Sequence, residues 1–284
     1  MQLLRWNKPS GRLILLMPAG WSLWLAPSAP PSIFILALVI LGGLCVSGAG
    51  CIANDIWDRN FDKKVTRTKN RPLAKGDVSL RNAWVLLVLF LFLSLCVVLQ
   101  IPVESKSLCI QLALCSLPFI LLYPSAKRWF KYPQLILSFC WGFSVLIPWA
   151  AIESSIAGGP TLLCCWLATI FWTFGFDTVY AMADEIDDQA LGLNSSAISL
   201  GEKSIKTVSF CYFLSSFFLG IAAFNASLGF SYWPFWFVSS LVMQREVFLL
   251  KSRPKGIKTS GLHFKNQVWI GSLLLFGMII SKII

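Results

Sequence analysis

Asn54-Asp55-Ile56-Trp57-Asp58-Arg59-Asn60-Phe61-Asp62 follows directly on an apolar run that begins near residue 33. About 20 apolar residues suffice for a helix to cross a bilayer. Residues 33–53 therefore read as a membrane helix, and 54–62 as its continuation past the membrane edge. Acidic residues at such an edge are costly and usually mark a functional site. Asn54, Asp58 and Asp62 are spaced i, i+4, i+8 and share one helical face, with Asp55 about a quarter turn away.

A second cluster, Asp177, Tyr180, Asp184, Asp187 and Asp188, closes another apolar run. Asp177, Tyr180, Asp184 and Asp188 are spaced i, i+3, i+7, i+11, which predicts one face again. Like charges on successive turns repel, so each cluster needs a cation. A solvated acidic loop paired with nearby arginines accounts for the first cluster alone, where Arg59, Lys63, Lys64, Arg67 and Arg71 are close in sequence. It accounts poorly for Asp184–Asp188, which have no basic residue within ten positions on either side. Oxygen donors in two facing sets predict Mg²⁺ or a similar hard cation. His263 is the only histidine, which excludes a histidine-based metal site. Basic residues accompany the acids: Arg67, Arg71 and Lys75 after the first cluster, Lys127 and Arg128 at another helix end. They suit the phosphate oxygens that a metal leaves uncovered. A divalent cation at a membrane surface points to a phosphorylated lipid.

The rest of the chain fits this picture. Only 13% of its residues are charged, about half the share of a soluble domain. Apolar runs predict nine spans, at about 12–26, 33–53, 83–101, 107–122, 133–152, 160–180, 209–229, 232–250 and 268–284. The expected fold is an all-α integral membrane protein, one polytopic domain over residues 1–284, a nine-helix bundle with two pseudo-repeated aspartate-bearing halves. The first apolar stretch contains Pro18 and lacks a small-residue cleavage site, so it reads as the first span and not as a signal peptide. With nine spans, 22 of the 24 lysines and arginines fall on one side, the side of the N-terminus and both acidic clusters. By the positive-inside rule that side is cytoplasmic. The net charge of +11 is absorbed by this topology, and nothing suggests nucleic-acid binding. The nine cysteines include no C-x-x-C pair and read as small apolar packing residues.

At this point the residues resemble the UbiA-type aromatic polyprenyltransferases. Asn54-Asp55-x-x-Asp58-x-x-x-Asp62, with Arg67-Thr68-x-x-Arg71-Pro72-Leu73, is similar to the family's first aspartate motif. Asp177-Thr178-x-Tyr180-Ala181-x-x-Asp184-x-x-Asp187-Asp188-x-x-x-Gly192-x-x-Ser195 is similar to the second. Tyr123-Pro124-x-x-Lys127-Arg128 looks like the element between them, and Arg5-x-x-Lys8-Pro9-x-Gly11 fits the opening. The likeness is strongest to the branch that acts on 4-hydroxybenzoate. One departure is Asn194, where that branch commonly carries a lysine.

The resemblance implies transfer of a polyprenyl group from polyprenyl diphosphate to the ring carbon ortho to the hydroxyl of 4-hydroxybenzoate, in ubiquinone or plastoquinone biosynthesis. It implies Mg²⁺ held by Asp55, Asp58, Asp62, Asp184 and Asp188. Substrates would meet Asn54, Arg67, Arg71, Tyr123, Lys127, Arg128, Asp177 and Tyr180. Arg128 is the candidate for the aromatic carboxylate, by bidentate geometry. The allylic cation must be kept from water, so a cavity opening sideways to the lipid bilayer is expected. The expected location is a bacterial-type inner or plasma membrane, or an equivalent organelle membrane. Other acceptors within the family are homogentisate, a naphthoate, haem or chlorophyllide. A secondary transporter is disfavoured because the acids lie at the membrane edge and not at its midplane. The pattern of the CDP-alcohol phosphotransferases is absent.

Overall fold

The computed structural model describes residues 2–6, 10–253 and 256–284. Lys8 and Pro9 of the opening motif, and Lys255 of the basic count, lie outside them. The described residues form twelve α-helices and no strand. In order these are α1 (Ser10–Leu25), α2 (Ile33–Asp62), α3 (Pro72–Lys75), α4 (Leu80–Leu99), α5 (Val103–Leu122), α6 (Pro133–Glu153), α7 (Gly159–Ala181), α8 (Glu185–Ala190), α9 (Ser196–Leu200), α10 (Ser204–Asn225), α11 (Trp233–Ser252) and α12 (Ile257–Ile283). A 3₁₀ segment, Tyr123–Arg128, follows α5.

Local sequence explains where the helices begin. Ser32 and Ser79 cap α2 and α4, their hydroxyls accepting from Ile35 N and Asn82 N at 3.2 Å each. Prolines open α3, α6, α7 and α11, where the missing N–H costs nothing. Gly76, at φ +88°, ends α3 and turns the chain into α4.

Seven helical segments, containing α2, α4, α5, α6, α7, α10 and α12, are long and apolar enough to cross a membrane, so this is a multi-pass membrane protein. The expected spans 12–26 and 232–250 coincide with α1 and α11, which fall outside that set: α1 has 16 residues, and α11 carries Arg245 and Glu246 in its interior. α12 starts at Ile257, well before the expected 268. Lys258, His263, Lys265 and Gln267 hid this first part from a hydropathy reading. Two of them are buried with partners: His263 Nε2 lies 2.7 Å from the Tyr212 hydroxyl, and Gln267 Oε1 accepts from Trp172 Nε1 at 2.8 Å.

Successive long helices pack side by side, and α12 returns to α1. α1 is the inner helix, touching α2, α6, α7 and α12. Ser22 Oγ donates to Val145 O on α6 at 2.7 Å, and Trp21 Nε1 to Gly271 O on α12 at 3.1 Å. Gly271 permits that approach, since a Cβ there would lie 2.9 Å from Met17 and 3.0 Å from Trp172. The main apolar core fills the space among α1, α6, α7, α10, α11 and α12.

The two aspartate-bearing helices differ in their packing. α7 is deeply buried, whereas α2 is mostly not. Beside α2 the bundle is hollow. A cavity of about 1170 Å³ runs between α1, α2, α4, α5, α6, α7 and α12. From Asp58 to Leu38, both on its wall, α2 rises through about 30 Å. Val88, Phe92, Leu95 and Leu114, on α4 and α5, line the cavity and are also exposed. Along this wall α4 packs only sparsely on α5.

Candidate active site

α2 has 30 residues, about 45 Å, against a hydrocarbon core of about 30 Å. Its last turns thus stand beyond the apolar layer and carry the first cluster. As the spacing predicts, Asn54, Asp58 and Asp62 all face the cavity. Asp55 does not line it; its carboxylate accepts from Arg5 at 2.8 Å and pairs with Arg71 at 3.2 Å. Acids at a helix C-terminus oppose the helix dipole, so these contacts matter. Arg71 also donates to Asp62 at 2.8 Å, and Arg128 approaches Asp58 at 3.3 Å.

The second cluster departs from the single face expected. α7 ends at Ala181, Asp184 occupies the N-cap position of α8, and Asp188 lies within α8. A continuous helix would have stacked the acids at its negative end. Breaking it places Glu185, Asp187 and Asp188 in the first turn of a new helix, where the dipole favours them. Asp177 and Tyr180 remain on α7 and line the cavity with Asp184 and Asp188.

The cations of the second cluster come from the other half of the chain. Arg67 Nε donates to Asp184 Oδ1 at 2.8 Å, and its Nη2 bonds the other carboxylate oxygen. Arg67 Nη1 donates to the Tyr180 hydroxyl at 2.9 Å, and the guanidinium lies 4.8 Å from that ring. Thr66 N donates to Asp187 Oδ2 at 2.8 Å. Lys127 Nζ stands 4.0 Å from Asp188, and Asn194 N donates to Lys127 O at 2.7 Å. The loop after α2 thus closes onto the loop after α7, with Tyr123–Arg128 between them. Both clusters are therefore paired with basic residues after all: Arg71 reaches Asp55 and Asp62 from the loop that follows them, whereas the second cluster takes Arg67 and Lys127 from across the site. Burial disfavours charge on Arg67, yet Asp184 and Tyr180 outweigh it and raise its pKa above the ordinary value. Burial pushes the Asp188 carboxyl up, with Lys127 opposing.

Tyr123, Lys127, Arg67 and Arg71 all face the cavity. Arg128 is not among the lining residues. Its Nη2 donates to Trp57 O at 2.7 Å, and its guanidinium lies 4.9 Å from the Phe61 ring. The structure adds two residues that the motifs did not assign to the site. Arg5 reaches Asn54 as well as Asp55, at 3.3 and 2.8 Å; the Arg5-x-x-Lys8 spacing was its signal. Arg12, inside the first apolar run, lines the cavity and is 6% exposed.

Among the described residues no three acidic, histidine or cysteine side chains form a ready-made metal cage. Mg²⁺ seldom uses one; it keeps waters and binds one or two carboxylates together with substrate phosphate. Asn54, Asp58, Asp62, Asp184 and Asp188 offer only oxygen donors to a single cavity, so the donor set fits a hard divalent cation. All nine cysteines are free, as packing residues would be.

Fold and site together define a helical membrane enzyme with a charged mouth above a long apolar chamber. The UbiA prenyltransferase family profile matches residues 15–270, and the chain belongs to that family. It is 39% identical over 282 residues to the 4-hydroxybenzoate solanesyltransferase of Synechocystis, covering 98% of this chain and 94% of that protein. It is 36% identical over 283 residues to the 4-hydroxybenzoate octaprenyltransferase of Neisseria gonorrhoeae, covering 97% and 92%. Among solved structures, a UbiA homolog from Aeropyrum pernix superposes with a TM-score of 0.80 at 22% identity, covering 94% of this chain and 97% of that one. One from Archaeoglobus fulgidus, bound to GPP and Mg²⁺, gives 0.73 at 18% identity and covers both chains fully.

Proposed function

We propose that this protein transfers a polyprenyl group from polyprenyl diphosphate to the ring carbon ortho to the hydroxyl of 4-hydroxybenzoate, releasing diphosphate, in ubiquinone or plastoquinone biosynthesis. The observation that carries this reading is the joining of two chemistries in one cavity. Buried carboxylates and basic residues stand at its mouth, and an apolar chamber about 30 Å deep lies behind them. A diphosphate with a long hydrocarbon tail matches both parts. The names of the two relatives above point to the same donor and acceptor.

Asp58, Asp62, Asp184 and Asp188, with Asn54, would hold Mg²⁺, and Asp55 would steady Arg5 and Arg71 behind them. When bound, Mg²⁺ neutralises the diphosphate and makes it a competent leaving group. Arg71, Arg67 and Lys127 bind phosphate oxygens not held by the metal. Their present carboxylate partners mark where negative charge is stabilised. The allylic C–O bond breaks and its electron pair leaves with diphosphate. The ring carbon supplies the pair for the new C–C bond, and the displaced ring proton passes to a cavity carboxylate. Tyr123, Asp177 and Tyr180 line this region and orient the reactants. The apolar walls keep water from the allylic cation.

The proposal extends to topology: nine spans, with α1 and α11 as the two beyond the apolar seven, and with N-terminus and active site on the cytoplasmic side. The distribution of 22 of 24 basic residues supports it.

The test is to incubate membranes containing the protein with Mg²⁺, a long prenyl diphosphate and each acceptor in turn: 4-hydroxybenzoate, homogentisate, a naphthoate, haem and chlorophyllide. Prenylated 4-hydroxybenzoate is the expected product. A product with another acceptor alone would overturn the acceptor assignment. No prenyl transfer to any of them would overturn the whole reading.

A further inference from the structure

Among the arginines that line the cavity, Arg12 is the one whose position the mechanism above leaves unexplained. It lies in the first turn of α1, on the cavity wall, and is 6% exposed. An ionisable side chain within a membrane helix is expensive and is a functional candidate by default. Every other arginine reaching the site has a carboxylate partner: Arg5 on Asp55, Arg67 on Asp184, Arg71 on Asp62, Arg128 on Asp58. Arg12 has none. Its guanidinium lies 4.3 Å from the Trp6 ring, which covers a face, but Nε and Nη2 are buried with no hydrogen-bond partner among the described residues. Leaving buried donors unmade is costly.

Those two donors have a specific meaning. Nε and Nη2 form one edge of the guanidinium, the edge that grips a carboxylate with two parallel hydrogen bonds. Arg67 uses that same edge on Asp184. On Arg12 it has no partner among the described residues.

The surroundings can admit a flat ligand. Leu16, one turn deeper on α1, touches the Cβ position of Gly43 on α2. Arg12 therefore stands opposite the stretch Ser47–Cys51, about one turn inside Asn54, and Ser47, Gly50 and Cys51 line the same cavity. Gly11 and Gly50 also line it, and a Cβ built on either meets nothing within 4 Å. Open space thus lies beside Gly11 and Gly50, at the junction of the charged mouth and the apolar chamber, and a turn of the Arg12 side chain would bring its covered edge to it.

We infer that Arg12 is the residue that recognises the acceptor's carboxylate, selecting an aromatic acid over a neutral phenol. This rests on the proposed function and makes its acceptor site specific. The carboxylate lies across the ring from the phenol hydroxyl, so anchoring it one turn inside the aspartates directs the hydroxyl side of the ring back toward them. Arg128, the sequence-based candidate, has its charge facing Asp58 and does not line the cavity.

The experiment compares wild type, Arg12→Met, Arg12→Lys and Arg128→Met in membranes with saturating prenyl diphosphate and Mg²⁺. Each is assayed with 4-hydroxybenzoate and with its methyl ester, and binding of radiolabelled 4-hydroxybenzoate is measured separately without prenyl diphosphate. Arg12→Met should raise the KM and Kd for the acid roughly 10- to 100-fold, the worth of hydrogen bonds between charged groups. It should leave the KM for the ester and for prenyl diphosphate within about threefold, so that acid-over-ester preference collapses. Arg12→Lys should restore part of that preference. A merely structural role would lower kcat on acid and ester alike and leave their ratio unchanged; that result overturns the inference. So does an equal rise in KM for prenyl diphosphate, which would make Arg12 a diphosphate ligand, or loss of the preference in Arg128→Met but not in Arg12→Met. If wild type prenylates no aromatic acid, the functional reading falls and the Arg12 assignment with it. If wild type is active and Arg12→Met keeps its preference, only the assignment falls.

Discussion

Replacing Arg67 by glutamine tests whether the two halves of the site are held together by one guanidinium. Arg67 donates to both oxygens of Asp184 and to the Tyr180 hydroxyl, the latter at 2.9 Å. Only 15% of the Arg67 side chain and 6% of the Asp184 side chain are exposed, so little solvent screens the pair. Asp184 has no other side-chain partner among the described residues. Glutamine would leave its carboxylate buried and unpaired, a change that costs about 3–5 kcal/mol. For a chain of this length one kcal/mol lowers the Tm by about 2 °C. In detergent with a chelator present, Arg67→Gln should therefore unfold roughly 6–10 °C below wild type. Adding Mg²⁺ with inorganic diphosphate should return at least about half of that loss, because a bound cation replaces the missing charge beside Asp184. Arg67→Lys should fall between the two, keeping the charge but not the fork. Differential scanning fluorimetry on the purified proteins measures all of this. A drop under about 2 °C, or one of the same size with and without Mg²⁺, would refute the reasoning.

Asp58→Ala and Asp184→Ala should each lower Mg²⁺-dependent prenyl transfer by about 100-fold or more, with insertion into membranes unchanged by protease mapping; full activity in either would remove it from the metal site. Lys127→Ala should raise the KM for prenyl diphosphate about tenfold while leaving that for the acceptor near wild type, since Lys127 lines the cavity beside Asp188. Ala151→Trp, at the deep end of the chamber near Leu38 and Ile101, should cut kcat/KM at least about tenfold for a long prenyl diphosphate and leave geranyl diphosphate nearly untouched. Equal loss for both lengths would mean that the substitution perturbs the fold and not the tunnel.

Much of the site was legible in the sequence because helical spacing is local information. Asn54, Asp58 and Asp62 share a face whatever else the chain does, and that face is the one turned to the cavity. The second cluster obeyed a different local rule. Its acids look periodic from Asp177 to Asp188, but their charge favours the start of a helix over the end of one, so the chain breaks at Met182–Asp184. The ion pairs were illegible for a plainer reason. Arg67 and Asp184 are 117 positions apart, and only the packing of two loops brings them together. Arg12 was visible as a charge near the N-terminus, yet nothing in the residues around it distinguishes a topological marker from a group facing a chamber. The start of α12 was missed in part because His263 and Gln267 are buried against partners on α10 and α7, a kind of compensation hydropathy does not register.

The apolar chamber beside α4 and α5 also bears on affinity. A prenyl tail that passes into it from the bilayer leaves one hydrocarbon medium for another, and it gains almost no hydrophobic free energy by doing so. Lengthening the tail therefore adds little to binding strength, however much wall it touches. Discrimination among chain lengths must come from where the chamber stops, and attachment from the headgroup alone. The bilayer then serves as the donor's reservoir and as the sink for the prenylated product, so turnover depends on the lateral concentration of lipid substrate in the membrane and not on its vanishing solubility in water.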